Sequence, residues 1–326
     1  MTEKTDLLGI SNAIVDVLTE VPFDELEKLG APAGSMTLID QARAVELYEL
    51  MSDTTESAGG SVANSVACFA SLGGRASYIG RVADDTLGNT FAQDMSALGI
   101  DLRLPAETRE APTARCHVFI TPDGERTMQT FLGACVEIAE TDITEQTVGQ
   151  PNIMLLEGYV WDTPEGPASM SKAIAIAKAT GTRIALSLSD SFCVERHQAA
   201  YETLAAGDAD IVIGNEAETL QLFRTTSLDD AVAKAAASGK LFVITRSERG
   251  SIIIDGDQRH DQSADLSQAV KDATGAGDAY VAGFLYGVAN DWTHAKSAEL
   301  ATRCATLTIA QVGARPNAEA LVTLLG

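Results

Sequence analysis

The chain has 326 residues, of which 45% are hydrophobic and 21% charged, which suits one large α/β domain and excludes wholesale disorder. A net charge of −23 and a pI near 4.4 oppose nucleic-acid and anionic-membrane partners, so any bound polyphosphate must be held by local backbone dipoles and a metal ion. Five cysteines without CxxC spacing and four scattered histidines argue against a disulfide framework or a histidine metal site.

Residues 1–10 carry acids and no long apolar run, and no stretch of about 18 apolar residues occurs anywhere. A cytoplasmic protein is therefore expected. Ile14–Leu18 reads as a strand with Asn12 and Asp16, four apart, on one face. An Asp between Ile14 and Leu18 is costly there unless something pairs with it, and the vicinal diol of a sugar would. A solvent-facing strand with no ligand fits the same pattern. Ala33–Ile39 reads as another strand. Gly59-Gly60 opens a helix carrying Val62, Val66 and Phe69 on one side, and Gly73-Gly74 closes it. The paired glycines allow a sugar close to the backbone, and Asn64 adds an amide. Arg115–Ile120 and Arg126–Leu132 are two further strands around the turn Pro122-Asp-Gly124. These pieces form a small β-rich element from insertions near 12–45 and 103–134.

From Ile153 onward, strands and helices alternate. Strands are expected at Ile153–Leu156, Ile184–Leu188, Asp210–Gly214, Leu241–Thr245 and Ser251–Asp255. Helices are expected through Met170–Ala177, from Glu216, over Ala276–Ala289 and from His294 to about Val312. This pattern implies a doubly wound, mostly parallel sheet with helices on both faces.

Lys271–Asp278 reads KDATGAGD and runs straight into the helix at Ala276. A helix start leaves bare N–H groups with partial positive charge, and the small residues Gly275, Ala276 and Gly277 let an anion reach them. Asp278, in the first turn, lies beside that anion hole and could deprotonate an attacking hydroxyl. On these residues alone, a capping Asp fits equally. The chain has no P-loop pattern, and Tyr280 stands where a dinucleotide fingerprint needs its third glycine.

Asp272–Asp278 resembles the C-terminal signature of the ribokinase-like (PfkB) carbohydrate and nucleoside kinases. Gly59-Gly60-Ser-Val-Ala-Asn64, continuing through Leu72-Gly-Gly and Gly80–Gly88, resembles their N-terminal signature, and Asn215-Glu-Ala-Glu218 their NxxE motif. The resemblance implies one ribokinase-like domain over 1–326 with a β-sheet lid, using ATP and Mg²⁺. It implies Asp278 as base, Gly275–Gly277 as anion hole, and Arg126 at the transferring phosphate. Glu218 and Asn215 would order Mg²⁺ through water, although an N-cap with its capping-box partner explains their spacing as well. Asn215, Thr245 and Gly250, with Gly275 and Gly277, would line the ATP cleft. Asp272 and Thr274, with Gly313–Arg315, are where a monovalent cation such as K⁺ would sit.

Within the family the closest match is to adenosine kinases, through Asn12–Asp16, through Gly60-Ser61 and through the lid strand Arg126–Ala134. By that match Asn12, Asp16, Gly59, Gly60, Ser61 and Asn64 bind the acceptor, and Met128 and Thr130 approach it. Tyr159 would flank a base; Trp161 would flank it or pack in the core. Val160 departs from the Phe pair of the eukaryotic enzymes. The expected reaction is ATP-dependent phosphorylation of a primary hydroxyl, with adenosine or a related purine nucleoside as acceptor. A sugar kinase acting on fructose, ribose or another sugar is the alternative, and a non-catalytic nucleoside-binding protein a third. A small-molecule substrate is the partner expected, and the lid edges would allow a homodimer.

Overall fold

The computed structural model describes residues 5–325. Its strands are β1 (Leu7–Ile10), β2 (Ile14–Glu20), β3 (Met36–Leu38), β4 (Thr55–Gly59), β5 (Ala76–Ile79), β6 (Asp101–Leu102), β7 (Ala114–Ile120) and β8 (Arg126–Phe131). The remainder are β9 (Ile153–Glu157), β10 (Arg183–Ser187), β11 (Ile211–Asn215), β12 (Leu241–Thr245), β13 (Ser251–Asp255) and β14 (Gln258–Gln262).

Nine strands form the main sheet in the order β14-β13-β12-β11-β10-β9-β1-β5-β6. Pairing is parallel from β6 to β12, and β13 and β14 add antiparallel at one edge. The sheet is apolar on both faces, as a helix-covered parallel sheet must be. Leu7, Ile153, Leu155, Ile211 and Ile213 pack with Val62, Val66, Phe69 and Phe284 on one face. Leu8, Ile10, Met154, Leu156 and Val212 pack with Met170, Ala173 and Ile174 on the other. Gly283 and Gly287 bring the Ala276–Ala289 helix against the His294–Ile309 helix, where an added Cβ would lie 2.7 Å from Ala301 Cα or 2.3 Å from Ser297 Oγ.

The second sheet has the order β3-β8-β7-β2-β4. Helices Phe23–Lys28 and Gln41–Leu50 cover one of its faces, with Val21, Leu26, Leu47 and Phe119 between. The other face is open. The sequence placed the first contribution to this sheet at 12–45. The sheet extends instead to Gly59, because β4 pairs antiparallel with β2 and carries the chain back into the helix at Ser61. Asn12 precedes β2 rather than sharing a strand with Asp16, because its N–H turns away to Glu157 Oε2 at 2.9 Å. The predicted strand Ala33–Ile39 shortens to Met36–Leu38, and the last long helix ends at Ile309 rather than near Val312.

Candidate active site

Two helix starts face each other. Gly275 takes φ 76° and caps the Ala276–Ala289 helix, and a Cβ there would lie 2.1 Å from Ala314 O, so only glycine closes this turn. The Ala276 N–H makes a long bond to Ala273 O at 3.3 Å. Opposite, Gly60 at φ 96° leads into the Ser61–Ser71 helix, and its own Cβ would strike Asn12 O at 2.6 Å.

Ser61 Oγ donates to Asp278 Oδ1 at 2.7 Å, and Asn64 Nδ2 donates to Oδ2 at 3.1 Å. Both carboxylate oxygens are thus held by one turn of the facing helix. Burial pushes Asp278 up to about 6, against the pull of the Ser61 and Asn64 hydrogen bonds and of Arg315. Arg315 Nε donates to Asn64 Oδ1 at 3.0 Å.

Asp16 projects from β2 beside Gly59, where a Cβ would lie 2.5 Å from its Oδ2. Burial raises Asp16 to about 6, opposed by Arg315 and Arg126 and reinforced by Asp278. Asp16, Asn64, Arg126, Ala314 and Arg315 line one cleft of about 630 Å³. Cross-strand register places Asp16, Cys116, Thr130 and Leu38 in one row, and Leu18, Val118, Met128 and Met36 in the next row on the same face.

Arg126 forms an ion pair with Asp272, whose carboxylate also accepts from Thr274 N–H at 3.0 Å and Gly313 N–H at 2.8 Å. The Asp272 side chain is thus occupied by a guanidinium and two backbone donors, which leaves backbone carbonyls as the donors for the monovalent cation expected near Asp272 and Thr274. Asn215 caps the Glu216–Leu222 helix, and its N–H and Nδ2 donate to Glu218 at 2.9 and 2.5 Å in a reciprocal capping box. Burial lifts Glu218 to about 7, against the Asn215 N–H and with help from Asp190. Glu218 is buried while Asn215 is exposed, and a carboxylate so placed fits Mg²⁺ held through water, whose charge would relieve the burial of Glu218. Thr245 ends β12 opposite Asn215, and Gly250, at φ 78°, turns the chain into β13.

Tyr159 is half-buried and burial raises its hydroxyl, with Asp190 adding to the shift. Trp161 is a core residue: it is 6% exposed and meets Tyr201 edge-on at 5.8 Å. Its alternative as a base-flanking residue is thereby excluded. Away from the cleft, Asp162, Cys193 and His197 converge, but Arg196 Nε already donates to Asp162 at 2.9 Å.

Glu157 is the site residue that the sequence did not reveal. It ends β9, is 1% exposed, and accepts from Asn12 N–H at 2.9 Å and Val62 N–H at 3.2 Å. Burial raises it to about 7, the two N–H groups oppose this, and Asp278 adds to it. The one signal in the sequence was an acid at the end of the apolar run Ile153–Leu156.

The family model for pfkB family carbohydrate kinases matches residues 30–321. The chain belongs to this family. The kinase is 40% identical to an adenosine kinase from Sinorhizobium meliloti, with a TM-score of 0.89 and 99% of both chains covered. It is 36% identical to a probable sugar kinase from Rhizobium etli, with a TM-score of 0.89 over 98% of this chain and 97% of that one. A 5-dehydro-2-deoxygluconokinase from Geobacillus kaustophilus is 26% identical over 303 residues, which is 89% of the kinase and 90% of the relative. The ribokinase-like fold and a phosphotransferase activity toward an alcohol group follow from this membership. Among the described residues no helix is long and apolar enough to cross a membrane.

Proposed function

We propose that the kinase transfers the γ-phosphate of ATP to the 5′-hydroxyl of adenosine or a related purine nucleoside. The observation that carries the phosphoryl-transfer chemistry is Asp278, held by Ser61 and Asn64 in the first turn of a glycine-capped helix. Its carboxylate accepts the proton of the attacking hydroxyl, while the N–H groups of Gly275, Ala276 and Gly277 hold charge on the migrating phosphoryl. Asn12, Asp16, Gly59, Gly60 and Asn64 hold the ribose. Asn215, Thr245 and Gly250 face the nucleotide. Mg²⁺, ordered by Glu218 and Asn215 through water, supplies charge neutralisation at the phosphates when bound.

Arg126 stays on Asp272 until a phosphate draws it away. An open, acceptor-free site therefore lacks one of its cations, which limits idle hydrolysis of ATP. Two features support a nucleoside acceptor. One is the 40% identity with an adenosine kinase over nearly the whole chain. The other is the open face of the small sheet, where Met36, Leu38 and Met128 extend an apolar shelf beside Asp16, with Met36 53% and Leu38 59% exposed. A flat heterocycle would cover that shelf and a free sugar would not. Tyr159 is placed in the base pocket by the same reading. Among the described residues nothing pairs with the outer edge of β3, and a second copy of the chain is the partner proposed for that edge.

A sugar kinase is the second reading, favoured by the 5-dehydro-2-deoxygluconokinase relative and the probable sugar kinase. ADP release from the purified protein across a panel of nucleosides and sugars separates the two. More than tenfold preference for a free sugar in kcat/KM would overturn the nucleoside assignment. Asp278→Asn should keep nucleoside binding and lose turnover by orders of magnitude; unchanged turnover would refute the base.

A further inference from the structure

The Asn64 amide sits between a group that only donates and a group that, ionised, only accepts. Arg315 Nε lies 3.0 Å from its Oδ1, and the Asp278 carboxylate 3.1 Å from its Nδ2. Turning the amide over would set nitrogen against guanidinium and oxygen against carboxylate, losing both bonds at once. We infer that Arg315 is a positioning residue for the base, fixing the Asn64 amide so that its N–H points at Asp278.

The segment bearing Arg315 is itself held. Gly313 N–H donates to Asp272 at 2.8 Å, and Asp272 carries the lid residue Arg126. Gln311 Nε2 donates to the Arg315 carbonyl, and the guanidinium lies against Met95 Sδ at 3.6 Å. A contiguous chain of contacts thus runs from Arg126 on β8 through Asp272, Gly313, Arg315 and Asn64 to Asp278. Arg315 is half-buried, and its charge is balanced from several elements. Asp16 faces it from β2, Asp94 from the Thr86–Ala97 helix, Tyr78 from β5 and Asp278 from its own helix. Asp278 in turn is faced by Ser61 and Asn64, with Asp16 and Glu157 near enough to interact. With two of those neighbours acidic, the Arg315 charge adds to the Ser61 and Asn64 hydrogen bonds in opposing the upward push of burial on the base.

This inference rests on Asp278 being the base. The test is kcat/KM against pH, from 5 to 9, using whichever acceptor turns over in the panel, with wild type, Arg315→Met, Arg315→Lys and Asn64→Ala. Arg315→Met should move the acid limb up by about one pH unit, which lowers kcat/KM about tenfold on the acid side and far less at pH 9. Arg315→Lys, which keeps a charge and a donor, should hold the limb near that of wild type. Because Arg315 acts partly through Asn64, the double variant Asn64→Ala with Arg315→Met should shift the limb by less than the sum of the two single shifts. If Arg315→Met does not fold, as judged by circular dichroism and thermal melting, Arg315→Gln replaces it with the same expectation. An unmoved acid limb in the folded neutral variant overturns the inference, as does full additivity with Asn64→Ala. If Asp278→Asn retains turnover, the base reading fails first. If Asp278→Asn is inactive and the limb stays put, only the role of Arg315 fails.

Discussion

Replacing Ser61 with alanine should cut turnover on the acid side of the pH profile and spare the alkaline side. Ser61 Oγ is one of two side-chain donors on Asp278, at 2.7 Å, and the shorter of the two. A hydrogen bond to a charged group contributes about 1.5–3 kcal/mol, and each 1.36 kcal/mol is about one pKa unit. Asp278 is half-buried, so water can refill part of the gap, and the lower end of that range applies: a rise of about one unit. The base would then move from about 6 to roughly 7. At pH 7 the ionised fraction drops from about nine-tenths to about one half, so kcat/KM falls about twofold. At pH 5.5 both enzymes are mostly protonated and the ratio approaches about tenfold, while at pH 8.5 it closes. A continuous ADP-release assay from pH 5 to 9 reads all three points. A loss of equal size at every pH would mean that Ser61 serves binding or folding and not the ionisation of Asp278.

Gly59→Ala should raise the acceptor KM at least about tenfold with little change in the ATP KM, because the new Cβ lies 2.5 Å from Asp16 Oδ2 and must displace that carboxylate. Steady-state kinetics with each substrate varied in turn checks this. Glu218→Gln should raise the Mg²⁺ concentration for half-maximal rate about tenfold with only a modest drop in melting temperature, since the glutamine oxygen still accepts from the Asn215 N–H although its NH2 forfeits the bond from Asn215 Nδ2. A Mg²⁺ titration paired with calorimetry tests it, and an unchanged titration would leave Glu218 a cap alone. Stability should decline from pH 5 to pH 8. Asp16 and Asp278 are raised to about 6 and Glu157 and Glu218 to about 7, so in this window the folded state holds protons that the unfolded chain has already released. With more protons bound in the folded state, unfolding free energy falls as pH rises through those values. A melting temperature that climbs between pH 5 and 8 in low-salt buffer would contradict the burial of these four carboxylates.

The parts of the site visible in the sequence are those that a local pattern can encode. Gly275, Ala276 and Gly277 before an apolar helix, and Gly59-Gly60 before another, announce two helix starts because backbone geometry there admits little else. The alternating apolar runs from Ile153 onward gave away the parallel sheet for the same reason. β1 escaped notice although it is paired on both sides within the main sheet, because four residues that include Gly9 make too short an apolar run to stand out. Other pairings carry no local signature at all. Asn64 and Asp278 are 214 residues apart, and Asn64 and Arg315 are 251 apart. Each side chain has a plausible separate purpose when read alone: an amide for a sugar, a base, a loop arginine. Their chemistry becomes joint only when the fold sets a donor-only group and an acceptor-only group at the two ends of one amide. The same holds for Arg126. The sequence placed it at the transferring phosphate; in the structure it lines the cleft and pairs with Asp272, which in turn holds the loop that carries Arg315. The lid and the base are therefore connected through a residue that the sequence assigned to neither.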